Sequence, residues 1–130
     1  MKINRGRVEG KPSESRQENF TGTVWADPVL AAADGVMINN VFFEPRSRTY
    51  WHSHDGGQVL HVLAGQGRVC LRGGEPETIG AGDIIFFEPG EEHWHGADYA
   101  QYLLHLAISL VGHAWLEPVT DEEYAGGSGR

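Results

Sequence analysis

Two histidines separated by one residue, His52 and His54, are the side chains in this sequence with the clearest chemical potential. Alternate residues of a β-strand point to the same face, so both imidazoles can reach one point in space. Gln58 follows a Gly-Gly pair that lets the chain reverse and return the amide toward that point. A third imidazole, His93, comes after a second turn marked by Pro89-Gly90. We therefore predict that these four side chains hold one metal ion.

The donor atoms indicate what kind of metal site this is. Three neutral imidazoles and an amide oxygen leave a divalent ion with its full positive charge. Imidazole suits zinc, copper, iron and nickel, and oxygen ligands suit manganese, so the donors alone leave the ion's identity open. A ligand set that keeps coordination positions free is typical of catalytic sites.

Simpler interpretations of the same residues stay open. His52 and His54 can be an exposed pair on a solvated strand, and Gln58 can be a buried amide satisfied by the backbone, with three histidines binding the ion alone. His95 shares the strand parity of His93, and we expect it behind the ligands or on the surface rather than as a fifth ligand. His105 can be a hydrogen-bonded core histidine.

Short strands must position these residues. From Val36 onward, runs of branched and aromatic residues end at Gly/Pro turn signals roughly every 8–12 residues, which predicts an all-β sandwich or small barrel. We expect a strand at 21–26 ended by Asp27-Pro28, and a turn at 64–67. A Thr-x-x-Glu capping box at Thr120 predicts a short C-terminal helical turn.

The last long strand, 103–110, has two different faces. One face consists of leucine and isoleucine and predicts a packed core or a subunit contact. The other face is mixed and predicts a barrel interior with a ligand pocket. The mixed face contains Leu103, His105, Ala107 and Ser109.

Length, charge and cysteine content narrow the class of protein. The 130 residues predict one domain at 20–124, between a flexible arm at 1–19 and a flexible tail at 125–130. A net charge of −8 argues against nucleic acid or an anionic membrane as partner. The single cysteine, Cys70, excludes an internal disulfide and a cysteine-based zinc site. Neither a signal peptide nor a long apolar run is evident, so a cytoplasmic protein is the expectation.

The spacing around the histidines resembles the two cupin motifs. In the first motif, Arg46 stands at the initial glycine, His-Ser-His and Gln58 follow, and Gly65 closes the motif; in the second, Gly82 precedes Gly90 and His93. The resemblance implies a single cupin domain, a double-stranded β-helix or jelly-roll barrel. Arg46 replaces a glycine, Gln58 replaces the usual glutamate ligand, Pro89 is one place late, and Ala97 replaces the final asparagine.

Over residues 20–124 the sequence further resembles bacterial cupin-type hydroxynitrile lyases. The matching segments are 20–24, 43–45, 51–54, 57–58, 89–96, 105–108 and 119–124. The resemblance implies a manganese or iron ion bound by His52, His54, Gln58 and His93. It also implies that His105 projects into the pocket as a catalytic residue, with Asn39, Val41 and Ser109 on the pocket wall.

Three functions are compatible with these observations. The first is a metal-dependent lyase that cleaves or forms α-hydroxynitriles, with Mn(II) as the expected ion and Fe(II), Zn(II) or Ni(II) as alternatives. The second is an oxygen-dependent, dioxygenase-like cupin, which the missing glutamate disfavours. The third is a cupin that binds a small ligand without catalysis. A small-molecule substrate and a homodimer or homotetramer are the expected partners.

Overall fold

The computed structural model describes residues 1–8, 10–33 and 35–126, so most of the tail expected at 125–130 lies outside the described residues. Across them the chain forms twelve strands and one helix. In chain order these are β1 Glu14–Ser15, β2 Phe20–Thr21, β3 Val24–Ala33, β4 Val36–Phe43, β5 Arg48–Thr49, β6 His52–His54, β7 Gln58–Leu71, β8 Glu77–Gly80, β9 Ile84–Phe87, β10 His93–Ala97, β11 Leu103–Leu110, β12 His113–Trp115 and α1 Asp121–Ala125. No helix in these ranges is long and apolar enough to cross a membrane.

Antiparallel pairing arranges the strands in two sheets. Sheet A has the order β1-β3-β4-β11-β7-β9. Sheet B contains β2, β5, β10, β7 and β8 in that order, with β6 joining β10 and β12 joining β6. The arrangement is a curled, all-β barrel with one short helix, as the sequence predicts.

One strand, β7, belongs to both sheets and corrects the prediction of a turn at 64–67. Its first half pairs with β11 and β9, and its second half, from Gln66, pairs with β8 and β10. The chain bends between sheets instead of turning, and the bend lies at Gly65, whose φ is +82°. A Cβ at Gly65 would overlap the carbonyl oxygen of Tyr102, which makes glycine necessary there.

The prediction that Asp27-Pro28 ends a strand is also wrong, because β3 continues to Ala33. A register shift against β4 falls between Pro28 and Leu30. The hydrogen bonding between strands is already interrupted at such an irregularity, so the missing N–H of a proline costs little stability there. The carbonyl oxygen of Pro28 accepts a hydrogen bond from the backbone N–H of Val8 at 2.8 Å.

The mixed face of β11 points into the barrel, as predicted. Leu103, His105, Ala107 and Ser109 are buried, whereas the aliphatic face is half-buried on the outside of sheet A. The capping box is confirmed: Thr120 is the N-cap of α1 and exchanges hydrogen bonds with Glu123.

Residues of the N-terminal arm lie against the barrel rather than apart from it. Strand β1 pairs with β3, opposite Trp25 and Ala26. Asp27 accepts hydrogen bonds from Ser13 at 2.6 Å and from Arg7 at 3.0 Å. These contacts extend sheet A by a strand that the sequence alone did not predict, because the arm lacks apolar periodicity.

Candidate metal centre

Two buried histidines face each other across neighbouring strands. His52 on β6 pairs with His93 on β10, and their ring centroids are 4.3 Å apart. Each Nδ1 lies 2.8 Å from the carbonyl oxygen two residues earlier, Tyr50 for His52 and Glu91 for His93. A carbonyl oxygen only accepts hydrogen bonds, so each neutral ring carries its proton on Nδ1. Both Nε2 atoms therefore carry lone pairs, as metal ligands must.

Gln58 stands beside His93 at the start of β7. Its Oε1 lies 3.1 Å from Nε2 of His93, and its Nε2 donates a hydrogen bond to Ser109 Oγ at 3.1 Å. With the His93 proton on Nδ1, Gln58 Oε1 and His93 Nε2 are two acceptor atoms that face each other. This contact is unfavourable unless a cation or a proton lies between the two atoms. The bond to Ser109 holds the amide group beside His93.

His54 lies on the same strand face as His52, with its ring centroid 5.1 Å from that of His52 and 5.8 Å from that of His93. The ring is buried, and neither of its nitrogens finds a hydrogen-bond partner within the described part of the chain. An imidazole without a hydrogen-bond partner in a protein interior is costly, so this position suits a side chain that ligates a metal.

His95 is the residue whose place differs most from the sequence expectation. It is buried, and its ligand nitrogen lies with those of His52 and His93, all within 4.8 Å of one another. Its Nδ1 lies 3.0 Å from Nε2 of His105, and its own Nε2 has no partner among the described residues. Strand parity alone signals this position, because His93 and His95 share a face.

Burial keeps these imidazoles neutral. It lowers the pKa of His54, His93 and His105 from 6.5 to about 4. Burial also lowers the pKa of His52 and His95 well below 6.5. Charge repulsion from His93 adds a smaller decrease at His52, and repulsion from His105 adds a smaller decrease at His95. Neutral rings at pH 7 are available as ligands. The close approach of Gln58 Oε1 to His93 Nε2 fits two donor atoms that converge on one divalent cation.

A cavity of about 600 Å³ opens beside the histidines. Of the expected pocket residues, Asn39 and Val41 line it, together with His54, whereas Ser109 is bonded to Gln58. His105 lies deeper, against His95 and Phe43. The cavity wall also includes Ser15, Arg16, Gln17, Glu18, Asn19, Phe20, Ala26, Met37, His113 and Trp115.

Comparison with known proteins identifies the architecture. The model of the cupin domain family matches residues 40–108, which is more than half of the chain. The chain is a cupin. The (R)-mandelonitrile lyase of Granulicella tundricola is 49% identical to it over 111 residues, covering 81% of this chain and 85% of that protein.

Solved structures agree with the cupin assignment. A cupin-like protein from Thermotoga maritima superposes with a TM-score of 0.81 at 33% identity, and the match covers 100% of both chains. A polyketide cyclase from Streptomyces resistomycificus superposes with a TM-score of 0.71 at 20% identity, covering 95% of this cupin and 91% of that chain, which shows a shared fold alone.

The histidine cluster of this cupin can bind a divalent metal, as the two cupin motifs imply. The histidines of the cluster differ in two respects from the expected ligand set, because His95 lies with His52 and His93 and His54 does not. From the sequence we expected His95 behind the ligands or on the surface, and we did not expect arm residues on the cavity wall. The position of His95 could have been found from strand parity, because His95 and His93 share a strand face. The arm residues reach the cavity wall only because the arm folds back against the barrel.

Proposed function

We propose that this cupin is a metal-dependent lyase that cleaves α-hydroxynitriles to an aldehyde and cyanide, and that it catalyses the reverse addition. The observation that carries the proposal is the convergence of Gln58 Oε1 and His93 Nε2, 3.1 Å apart, in a cluster of neutral buried imidazoles. The 49% identity to a protein named (R)-mandelonitrile lyase supports this reaction over others in the family.

The proposed ligands are His52, His54, Gln58 and His93, with Mn(II) as the proposed ion. All four donors are neutral, so nothing in this set offsets the charge of the ion. Such an ion, when bound, acts as a Lewis acid that lowers the pKa of a substrate hydroxyl. The fixed Nδ1–H bonds of His52 and His93 orient their rings and reduce the cost of ordering them on binding.

Proton transfer is the proposed role of His105. The hydroxyl proton of the hydroxynitrile leaves, the carbon–oxygen double bond forms, and the carbon–carbon bond breaks with its electron pair going to cyanide. His95 accepts the proton at Nε2 and passes its own Nδ1 proton to Nε2 of His105, 3.0 Å away. Because burial lowers the pKa of His105 to about 4, His105 holds the proton weakly and gives it back to Nδ1 of His95, whose Nε2 then protonates the departing cyanide.

The cavity supplies the place for the organic group. Val41, Met37 and Trp115 give it an apolar wall beside His54, and Asn39 offers a hydrogen-bonding amide. A small aldehyde with an aromatic or aliphatic group suits this combination.

The experiment combines metal content with cyanide release. Protein loaded with Mn(II) is assayed for cyanide release from mandelonitrile without oxygen, together with His52→Ala and the matched control His61→Ala, whose side chain lies on the outer face of β7. We expect His52→Ala to lose metal and activity together and His61→Ala to keep both. Turnover that requires oxygen would overturn the lyase in favour of an oxygen-dependent cupin.

We further propose that a second copy of this cupin covers the outer face of sheet A, giving a homodimer or a homotetramer. Ile84 and Phe86 on β9 are 67% and 57% exposed. Cross-strand neighbours continue the same apolar face across Val59 and Ile108 to Ile38. We place the protein in the cytoplasm, which the free and buried Cys70 supports.

A further inference from the structure

Four residues of the N-terminal arm, Arg16–Asn19, cross the mouth of the cavity from one sheet to the other; we call them the mouth strap. At one end, the backbone N–H of Arg16 donates to the carbonyl oxygen of Val24 in sheet A at 2.8 Å. At the other end, the carbonyl oxygen of Asn19 accepts from the backbone N–H of Tyr50 at 2.9 Å, next to sheet B. The strap is therefore anchored on both sides of the opening.

Contacts beyond its two ends hold the strap in place. Upstream, β1 pairs with β3, and Ser13 hydrogen bonds to Asp27. Downstream, β2 pairs with β5, and the Phe20 ring lies 5.6 Å from that of Trp115, which in turn lies 4.7 Å from the ring of His52. A segment fixed at both ends behaves as a wall rather than as a free tail.

Gln17 and Glu18 lie between the anchors and line the same cavity as His54 and Val41. Both side chains are exposed on their outer side, and the backbone bonds that anchor the strap involve Arg16 and Asn19 instead. Side chains at 17 and 18 can therefore change in size without releasing the strap.

We infer that the mouth strap determines substrate specificity, because Gln17 and Glu18 limit the size of the organic group that the cavity accepts. The part of this inference that concerns hydroxynitriles rests on the proposed function. The geometric part does not, because Gln17 and Glu18 line the same cavity as Asn39 on β4.

The test measures access to the cavity without metal or catalysis. Asn39→Cys places a thiol on the cavity wall, and its labelling rate is measured with methyl methanethiosulfonate and with the larger benzyl methanethiosulfonate. Cys70 is buried, and burial raises the pKa of its thiol, so background labelling is slow and is subtracted using protein without the added cysteine.

Three variants are compared in the Asn39→Cys background. In Gln17→Ala/Glu18→Ala we expect the ratio of benzyl to methyl labelling to rise about tenfold. In Gln17→Trp we expect the ratio to fall. The matched control, Lys11→Ala, changes an exposed arm residue that does not line the cavity and whose side chain does not anchor the strap, and its ratio should equal that of the parent.

Equal ratios in all variants, with unchanged thermal unfolding, would overturn the inference. A rise in Lys11→Ala as large as that in the double alanine variant would do the same, because it would mean that labelling responds to any change in the arm rather than to the two side chains. In loaded enzyme, the double alanine variant should lower KM for a bulky hydroxynitrile relative to a small one. A protein that lacked lyase activity would still give the labelling ratios, so the two proposals fail separately.

Discussion

Nε2 of His105 lies 3.0 Å from Nδ1 of His95, and both rings are buried inside the barrel. The two side chains come from strands in different sheets, β11 and β10, so the contact spans the interior. His95 in turn lies with the ligand nitrogens of His52 and His93. His105 therefore reaches the cluster through His95, and the pair connects the candidate metal centre to the proposed proton acceptor behind it.

Replacing His105 with phenylalanine tests this connection. His105→Phe preserves volume beside Phe43 but removes the proton acceptor, so we expect kcat for cyanide release to fall by roughly 10²- to 10⁴-fold. Metal content, measured by elemental analysis, should not change. The control is His61→Phe on the outer face of sheet A, which should keep its rate; full activity in His105→Phe would rule out the relay.

Metal-free protein should lose stability as the pH falls from about 6.5 to about 4. Burial lowers the pKa of His54, His93 and His105 to about 4 in the folded chain, against 6.5 in the unfolded chain. Between these values the unfolded chain binds protons that the folded chain does not, so each histidine removes about 3 kcal/mol from the free energy of unfolding across the window. Above pH 6.5 these groups are neutral in both states and contribute no slope.

Urea unfolding of metal-free protein at several pH values measures this loss. His105→Phe should show a shallower dependence than the parent, because one of the five buried histidines with a lowered pKa no longer titrates. A stability that is flat between pH 6.5 and 4.5 would contradict the assignment of neutral buried imidazoles.

Gln58→Glu restores the carboxylate that most cupin motifs carry at this position. The added charge should tighten metal binding, since an anionic oxygen 3.1 Å from His93 Nε2 attracts a cation more strongly than an amide does. The same charge makes the ion less electrophilic, raising the pKa of a bound hydroxyl by roughly one unit, or about 1.4 kcal/mol. We expect slower cyanide release at higher metal affinity, measured by competition with a chelator; faster release would contradict the proposed role of the amide.

Two motif glycines should respond differently to alanine. Gly65→Ala places a methyl group against the Tyr102 carbonyl at φ +82°, and should cost about 3 kcal/mol or more of stability. Gly82 has a similar φ of +92°, but its Cβ would meet nothing within 4 Å in the described part of the chain, so Gly82→Ala should cost only about 1–2 kcal/mol. Chemical denaturation of both variants compares the two, and equal costs would show that the bend in β7 tolerates a side chain.

Assembly through the outer face of sheet A should be sensitive to charge. Phe86→Glu puts a carboxylate in the centre of the exposed apolar face, so we expect the mass measured by light scattering to fall to that of one chain. The control is Leu71→Glu, which changes another exposed apolar residue, opposite His93 in the sheet B half of β7, and should leave the mass unchanged. A Phe86→Glu protein of unaltered mass would place the interface elsewhere.

Local patterns in the sequence were sufficient for the elements that depend on near neighbours. The capping box at Thr120 was correct because its partner is three residues away. The inward face of β11 was correct because side-chain direction alternates along any strand. The turn expected at 64–67 was wrong because Gly65 marks a bend between sheets, which depends on contact with Tyr102, a residue remote in sequence.

The sequence by itself determined the donor types of the site and which of them share a strand face, since a period of two is a local property of the backbone. Only the tertiary structure decided which faces meet. It brought His95 to His52 and His93, set His105 behind His95, and fixed the mouth strap over the cavity. These relationships depend on the closure of two sheets into a barrel, and the packing that closes them involves residues far apart along the chain.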